Sequence, residues 1–355
     1  MKQSRHLSLT VVRRLLRLKR PFGISRGTRA HVENVFVCLG SHCGEAAPVS
    51  YHGHTAEMLQ QAAESLQIPN SFTREPEEVI HRLSQNREIP RPVVAAIDMA
   101  IYDAWAHERG QPLSKLWGVR EEDVPTSSYT IGIDTPEQMV SKIEDGLEFP
   151  ILKIKLGSKD DLSRLAAIRE ATSKTLRVDA NEGWDRETAA WWLERLPDWN
   201  VDLVEQPLPR DDHEGMRDLC RKNQGRIPII LDESIQTSED VLSTLGESNG
   251  INIKLAKCGG LLEARKMISI ARRHGLKVMV GCMVESSLGI SAAAHIAPFV
   301  DFVDLDGAAL LDDDPFEGVN LTAGRICFRE RPGLGVSPRE GVRIEPPDNL
   351  KNRRN

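Results

Sequence analysis

The apolar and polar positions of the chain fall into two rhythms. In the first, residues 8–20 and 30–39 carry strand-like patterns and are expected to be two strands. Between them runs Pro21-Phe22-Gly23-Ile24-Ser25-Arg26-Gly27, whose glycines predict a mobile loop. Helical patterns follow at 54–66 and 74–86. Pro92 then opens a stronger helix over 93–109, with proline near its first turn and Gly110 just past its end. Ala95, Ala96, Met99, Ala100 and Ala104 predict that this helix packs closely. Residues 1–122 therefore read as an α+β domain.

From about residue 126 short apolar runs alternate with helical stretches. Eight strand candidates lie at 127–133, 151–156, 176–181, 201–206, 228–233, 251–255, 277–282 and 302–306. Nearly every one ends in polar residues. Thr130, Lys155, Asp179, Glu205, Asp232, Lys254, Cys282 and Asp304 follow one another at spacings of 22–28 residues. One βα unit takes about that length, and strands alternating with helices imply a parallel sheet. Eight units close a TIM-like (β/α) barrel over 123–322, with its active site at the C-terminal strand ends. An open doubly wound sheet is the competing fold, but no Gly-rich phosphate turn marks it. After residue 322 the rhythm stops. Ile326-Cys327-Phe328 suggests one more strand, the tail 323–355 is expected to complete the first domain, and residues 351–355 are expected to fray.

Length, charge and cysteines narrow the class. The 355 residues carry a formal charge of -6, which argues against a nucleic-acid partner. No run of about 18 apolar residues suggests a membrane span. The basic run 11–20 lacks the apolar segment of a signal peptide. Cysteines 38, 43, 220, 258, 282 and 327 form no CxxC pair and are expected to be reduced thiols. A cytoplasmic enzyme is the resulting expectation.

The strand ends carry the candidate chemistry. Asp179, Glu205 and Asp232 close three consecutive strands, so a barrel makes them neighbours. Three crowded carboxylates repel unless protonated or bound to a cation, and oxygen ligands favour a hard ion such as Mg²⁺. Lys153 and Lys155 share one face of the strand before them. Lys254 ends the strand after them, and Lys257 is an alternative for its role. Lysines on both sides of a metal suggest acid/base work on opposite faces of one carbon. A base there would need its pKa brought from about 10.4 down to about 7–8. Asp304 and Asp306 share a face of the last strand and would suit a cationic substrate group, or form a salt-bridged pair at the rim.

Together Lys153-Ile-Lys155, Asp179-Ala-Asn181, Glu205-Gln-Pro207, Asp232-Glu-Ser234 and Ile253-Lys254-Leu-Ala-Lys257-Cys-Gly259-Gly260 resemble the muconate-lactonizing subgroup of the enolase superfamily. The likeness covers nearly the whole chain, including Ala96-Ile97-Asp98-Met99-Ala100. It implies a modified, enolase-type barrel under an N-terminal capping domain, with one Mg²⁺ per subunit. Gly281-Cys-Met-Val-Glu-Ser-Ser287 and Asp304-Leu-Asp306-Gly307 look most like the dipeptide epimerases. That resemblance implies Lys155 and Lys254 as two bases that pass a proton across the α-carbon of the dipeptide's C-terminal residue through an enediolate. It implies Lys153 as a partner of the enolised carboxylate and Asp304 and Asp306 as the clamp for the dipeptide ammonium. Thr130 and Cys282 would contact substrate. Arg26, with Arg29 as the other candidate, would suit an acidic dipeptide such as L-Ala-L-Glu. Tyr51, His52 and His54 follow in a second loop and match no motif. A homo-oligomer is expected.

The same scaffold also supports o-succinylbenzoate synthase, N-succinylamino acid racemase and muconate cycloisomerase. Asp304 and Asp306 argue against these, whose substrates lack a free ammonium. A binding protein without catalysis is the remaining alternative, and the intact triad with both lysines argues against it.

Overall fold

The computed structural model describes residues 6–7, 9–342 and 344. Strands Leu9–Ile24, Gly27–Leu39 and His42–Ala46 form an antiparallel sheet in chain order. Helices Ala56–Glu64, Pro76–Gln85 and Arg91–Glu108 follow. The last is buried along most of its length, Asp98 and Asp103 included, because it runs between the sheet and the barrel.

The expected mobile loop at 21–27 is instead part of the first hairpin. Pairing runs from Leu9↔Leu39 to Arg17↔His31, slips, and resumes from Phe22↔Arg29 to Ile24↔Gly27, leaving only Ser25 and Arg26 as the turn. Pro21, which has no N–H for a ladder, sits within the slipped stretch. The slip frees Leu18 to bridge to Leu311, and the Asp312 N–H donates to the Arg17 carbonyl at 2.9 Å. Further along, the Ile133 N–H donates to the Gly23 carbonyl at 2.8 Å. A Cβ on Gly23 would come within 2.2 Å of the Ile133 oxygen, so only glycine lets the hairpin tip lie this close to the barrel.

The barrel is a single eight-stranded parallel sheet: Tyr129–Ile131, Ile151–Lys155, Thr175–Asp179, Val201–Glu205, Ile229–Leu231, Gly250–Ile253, Lys277–Gly281 and Phe302–Asp304. The Ser127↔Val303 bridge closes it. All eight strands expected from the sequence are present. Ile154, Val178, Val204, Ile253 and Val280 are fully buried in the main core. Leu203, Ile230 and Met279, backed by Phe302, form a separate apolar cluster. The charged residues concentrate at the strand ends.

The described part of the tail contacts the first region. The Leu113 N–H donates to the Gly333 carbonyl at 2.8 Å, and the Leu334 N–H to Asp103 Oδ1 at 2.7 Å. Strand Arg325–Cys327 pairs with Asn320–Thr322. The fraying expected at 351–355 lies outside the described residues. The cysteine expectation needs correction: Cys38 and Cys43 are register partners across a tight hairpin turn and form a disulfide, while Cys220, Cys258, Cys282 and Cys327 are free. The sequence shows no motif for a pair that strand register creates. Among the described residues no helix is long and apolar enough to cross a membrane.

Candidate active site

Strand register sets the centre of the site. Lys155 is the Cα partner of Asp179, and Asp179 is the partner of Glu205, so three adjacent strands present a lysine and two carboxylates in one row. Asp232 follows at the next strand end. Asp179, Glu205 and Asp232 are all buried. Immediately beyond these ends the backbone turns sharply: Asn181 has φ 43°, Glu182 φ 66° and Gln206 φ 34°. Such left-handed positions are costly for residues with a Cβ and concentrate at functional sites. Here they are held by side chains. The Asn181 N–H donates to Asp179 Oδ1 at 2.9 Å, and Gln206 Oε1 accepts the Asp232 N–H at 2.9 Å.

Four ammonium groups meet the carboxylates. Lys153 lies 2.6 Å from Glu205 Oε2, 2.7 Å from Asp304 Oδ2 and 3.1 Å from Asp179 Oδ2. Lys155 pairs with Asp179 Oδ2 at 2.6 Å, and Lys254 with Asp232 Oδ2 at 2.6 Å. Lys257, from the short helix Leu255–Cys258, donates to the Asp232 carbonyl at 2.5 Å and pairs with its carboxylate. This separates the two candidates for the second base. Lys254 lines the cavity over the site and Lys257 does not. Lys257 is spent on Asp232 and on the Asn252 carbonyl, 3.2 Å away.

Burial and mutual repulsion shift these groups strongly. Glu205 is pushed up to about 7, first by burial and then by the Asp179 charge. Asp232 is held well below the carboxylate range: burial opposes this, but Lys254 and Lys257 outweigh it. Lys257 is lowered, chiefly by burial. Lys254 differs from the lowered pKa expected of a base, and Lys153 is shifted the same way. Burial lowers both, yet Asp304 and Glu205 around Lys153 and Asp232 beside Lys254 outweigh it and raise them well above their usual value. The physical reason is an excess of negative charge. A divalent cation among the carboxylates would reverse that balance.

The donor set fits such a cation. It consists of carboxylate oxygens, as Mg²⁺ prefers. Asn252 Nδ2 donates to Glu205 Oε1 at 2.8 Å, while the buried Oε2 accepts no hydrogen bond and meets only the nearby Lys153 charge. Asp179, Glu205 and Asp232 are thus the residues able to hold Mg²⁺.

The two aspartates are not equivalent: Asp304 ends the last strand, and Asp306 lies beyond it, just before the turn Gly307–Leu310. Asp304 already pairs with Lys153 and accepts the Ser128 hydroxyl at 2.6 Å. Asp306 accepts the Thr130 N–H at 2.6 Å and is pushed up to about 7, by burial and then by Asp304. Both line the cavity, as do Thr130, Lys153, Cys282, Arg26 and Arg29. The cavity measures about 540 Å³. The Cys282 thiol donates to the Asp304 carbonyl at 3.3 Å, and burial raises it well above its usual pKa.

Arg26 reaches the site from the hairpin turn but is occupied there. Its guanidinium pairs with Glu233 at 2.7 Å and Glu182 at 2.9 Å, and stands 5.0 Å from the centre of the Tyr51 ring. Arg210 stands 4.9 Å from the same ring and also binds Glu182, at 2.6 Å. Glu182, Glu233, Arg210 and Tyr51 are therefore members of the site to which the sequence assigns no role. Glu233 directly after Asp232, and Asn181-Glu182 just past Asp179, are the available signal for the two glutamates.

The Enolase C-terminal domain-like family matches residues 135–342. An L-Ala-D/L-amino acid epimerase from a Maribacter species is 37% identical over 337 residues, 93% of this chain and 99% of that protein. Two crystal structures extend the comparison. The dipeptide epimerase from Cytophaga hutchinsonii, complexed with Mg and D-Ala-L-Val, superimposes with TM-score 0.86 at 29% identity, covering 95% of this chain and 97% of its own. The N-succinyl Arg/Lys racemase from Bacillus cereus superimposes with TM-score 0.86 at 26% identity, covering 94% and 96%. The strand order, the carboxylate and lysine row and these likenesses agree, and the chain belongs to the Enolase C-terminal domain-like family of the enolase superfamily.

Proposed function

We propose that the chain is a Mg²⁺-dependent dipeptide epimerase that inverts the α-carbon of the C-terminal residue. The observation that carries this reading is the placement of two lysines on opposite sides of one carboxylate cluster: Lys155 on Asp179 and Lys254 on Asp232, both lining the cavity. Bound at Asp179, Glu205 and Asp232, Mg²⁺ supplies charge that stabilises the substrate carboxylate as the α-proton leaves. Lys155 and Lys254 act from opposite faces, one removing the α-proton and the other returning one. Lys153, buried among acids, adds positive charge beside the developing anion. Asp306, whose carboxylate has no lysine partner among the described residues, is the stronger of the two aspartates for holding the dipeptide ammonium. The capping domain, expected over 1–122 with the tail, covers the mouth of the barrel, expected over 123–322, through residues such as Phe22, Ile24 and Tyr51 and so limits water there.

The substrate side chain faces an occupied arginine. With Glu182 and Glu233 neutralising Arg26, the first hairpin lines the cavity mainly with Leu18, Phe22, Ile24 and Val32, with Arg29 and Glu33 among them. This favours an apolar C-terminal residue over a glutamate. The test is a library of L,L-dipeptides incubated with enzyme and Mg²⁺ in D₂O. Deuterium should enter the C-terminal α-position, fastest in apolar members. If no dipeptide exchanges while an N-succinyl amino acid does, the epimerase assignment fails and the racemase reading replaces it.

A further inference from the structure

Far from the barrel mouth, three segments converge on one carboxylate. Asp103 lies near the end of the cap helix Arg91–Glu108, and His107 follows one turn later. His42 begins strand His42–Ala46, within the hairpin that the Cys38–Cys43 disulfide closes. The His42 Nδ1 atom is 2.7 Å from Asp103 Oδ2, and His107 Nε2 is 3.9 Å from Asp103 Oδ1. The two imidazole centres are 5.0 Å apart. One nitrogen or oxygen from each residue falls within 4.8 Å of the others, the one such group of histidine, cysteine and acidic side chains among the described residues.

We propose that His42, Asp103 and His107 bind a borderline transition-metal ion of the Zn²⁺ class, separate from the Mg²⁺ of the active site. A simple His42–Asp103 hydrogen bond accounts for only part of the cluster. It leaves the second imidazole turned toward the same carboxylate at a distance too long to hydrogen bond. Tetrahedral Zn²⁺ with bonds of 2.0–2.1 Å sets its ligand atoms about 3.3 Å apart. The 2.7 Å contact of His42 is to Asp103 Oδ2 and the 3.9 Å contact of His107 is to Oδ1, while one ligand atom from each residue lies within 4.8 Å of the others, so a small movement of His107, half-exposed on its helix, brings the three to that spacing. Two imidazole nitrogens and one carboxylate oxygen suit Zn²⁺, Co²⁺, Ni²⁺ or Cu²⁺, not Mg²⁺ or Ca²⁺. The site is also supported from behind, as metal sites commonly are. The Leu334 N–H holds Asp103 Oδ1 at 2.7 Å. Gly333, at φ 77°, lies so close that a Cβ would come within 2.0 Å of that oxygen. The ion would therefore staple hairpin, helix and returning tail together, with a further position left for water.

Tag-free enzyme saturated with Mg²⁺ tests this by calorimetric titration with Zn²⁺ and by Co²⁺ absorption. The expected result is one Zn²⁺ per chain bound despite excess Mg²⁺, a tetrahedral Co²⁺ band, and a Zn²⁺-dependent rise in Tm. His107→Gln, altering a half-exposed side chain, and His42→Gln should each weaken this binding at least tenfold and abolish the Tm rise. Mg²⁺-dependent epimerisation of both variants should match the parent. Absence of the Zn²⁺ equivalent, or its survival in either variant, overturns the proposal.

Discussion

At the barrel mouth, Lys155, Asp179 and Glu205 are register partners on adjacent strands, fixed by ladder hydrogen bonds on both sides. In the cap, Arg26 reaches Glu182 and Glu233 through its side chain from a two-residue turn, just beyond the Gly23–Ile133 backbone hydrogen bond that ties the hairpin to the barrel. Both regions assemble charge, yet they do so with different rigidity. A strand end in a closed barrel has nowhere to move, which suits groups that must meet a carbon within a fraction of an ångström. A turn whose outermost ties to the barrel are ion pairs is less firmly fixed, which suits a cover. Under the proposed function, the difference puts the chemistry in the barrel and the choice of substrate in the cap.

The largest effects should therefore come from the barrel row. Lys155→Ala and Lys254→Ala should each reduce epimerisation by about 10³-fold or more, the upper part of what a positioned acid or base contributes. Each variant should still exchange the α-proton of one epimer in D₂O, because the remaining lysine faces that proton. Proton NMR of both epimers checks this. If either variant retained a tenth of the parent rate, the two-base assignment would be wrong.

Next in size is the joint that holds cap to barrel. Asp98, on the buried cap helix, accepts the Leu261 N–H at 2.7 Å and the Leu262 N–H at 3.1 Å, capping helix Leu261–Arg273 from another part of the chain. Gly260 makes this possible: a Cβ there would come within 2.4 Å of the Asp98 carboxyl carbon. Loss of a helix N-cap costs about 0.5–2 kcal/mol. Asp98→Ala should lie at the upper end of that range, since it also leaves buried N–H groups unmet. Urea unfolding measures it. Epimerisation per folded molecule should change little, and a large change would mean that the joint also sets the barrel mouth.

A smaller effect is expected at the cap edge itself. Arg26→Ala leaves Glu233 buried without its guanidinium and loosens the Tyr51 stack. kcat/KM should fall about tenfold, equivalent to about 1.4 kcal/mol. The fall should be the same for L-Ala-L-Glu and for an apolar partner such as L-Ala-L-Leu. A selective loss with the acidic dipeptide would show Arg26 as the side-chain contact and reverse the proposed preference.

This contrast also explains what could be read from the sequence. All eight barrel strands and the row of strand-end residues followed from spacing, because a βα unit has a characteristic length and strand ends converge in a barrel. The two strands of the first hairpin followed as well, but its tip did not, because Pro21 and two glycines look like a loop when the slip in register that accommodates them is set by Leu311 and Ile133, far along the chain. The pairing of Asp304 with Lys153 was equally hidden. Two aspartates on one strand look equivalent until the neighbour across the closed barrel is known. The Cys38–Cys43 bond was hidden for the same reason of register.

The smallest expected effect probes a pair of carboxylates buried where cap meets barrel. Glu45, on strand His42–Ala46, accepts hydrogen bonds from Asn34 Nδ2, the Ser286 N–H and hydroxyl, and the Gly289 N–H. Glu285 receives only the Met283 N–H, and its Oε1 has no partner. The hydrogen bonds favour the charged form on Glu45, which leaves Glu285 the carboxyl to hold a proton: burial and then the Glu45 charge push its pKa up to about 8, against the Met283 N–H and Lys254. A carboxyl with a higher pKa folded than unfolded contributes stability that is complete below its unfolded value, near 4.5, and is lost as pH rises through about 8. Unfolding free energy should accordingly decline between pH 5.5 and 8.5. Glu285→Gln removes the titration while keeping an acceptor for Met283. Since the two carboxylates titrate as a pair, the decline should shrink by only on the order of 1 kcal/mol. Urea unfolding of both proteins across that range decides it. An unchanged slope would place the shared proton on Glu45, and the cap would then meet the barrel through a neutral side chain rather than a charged one.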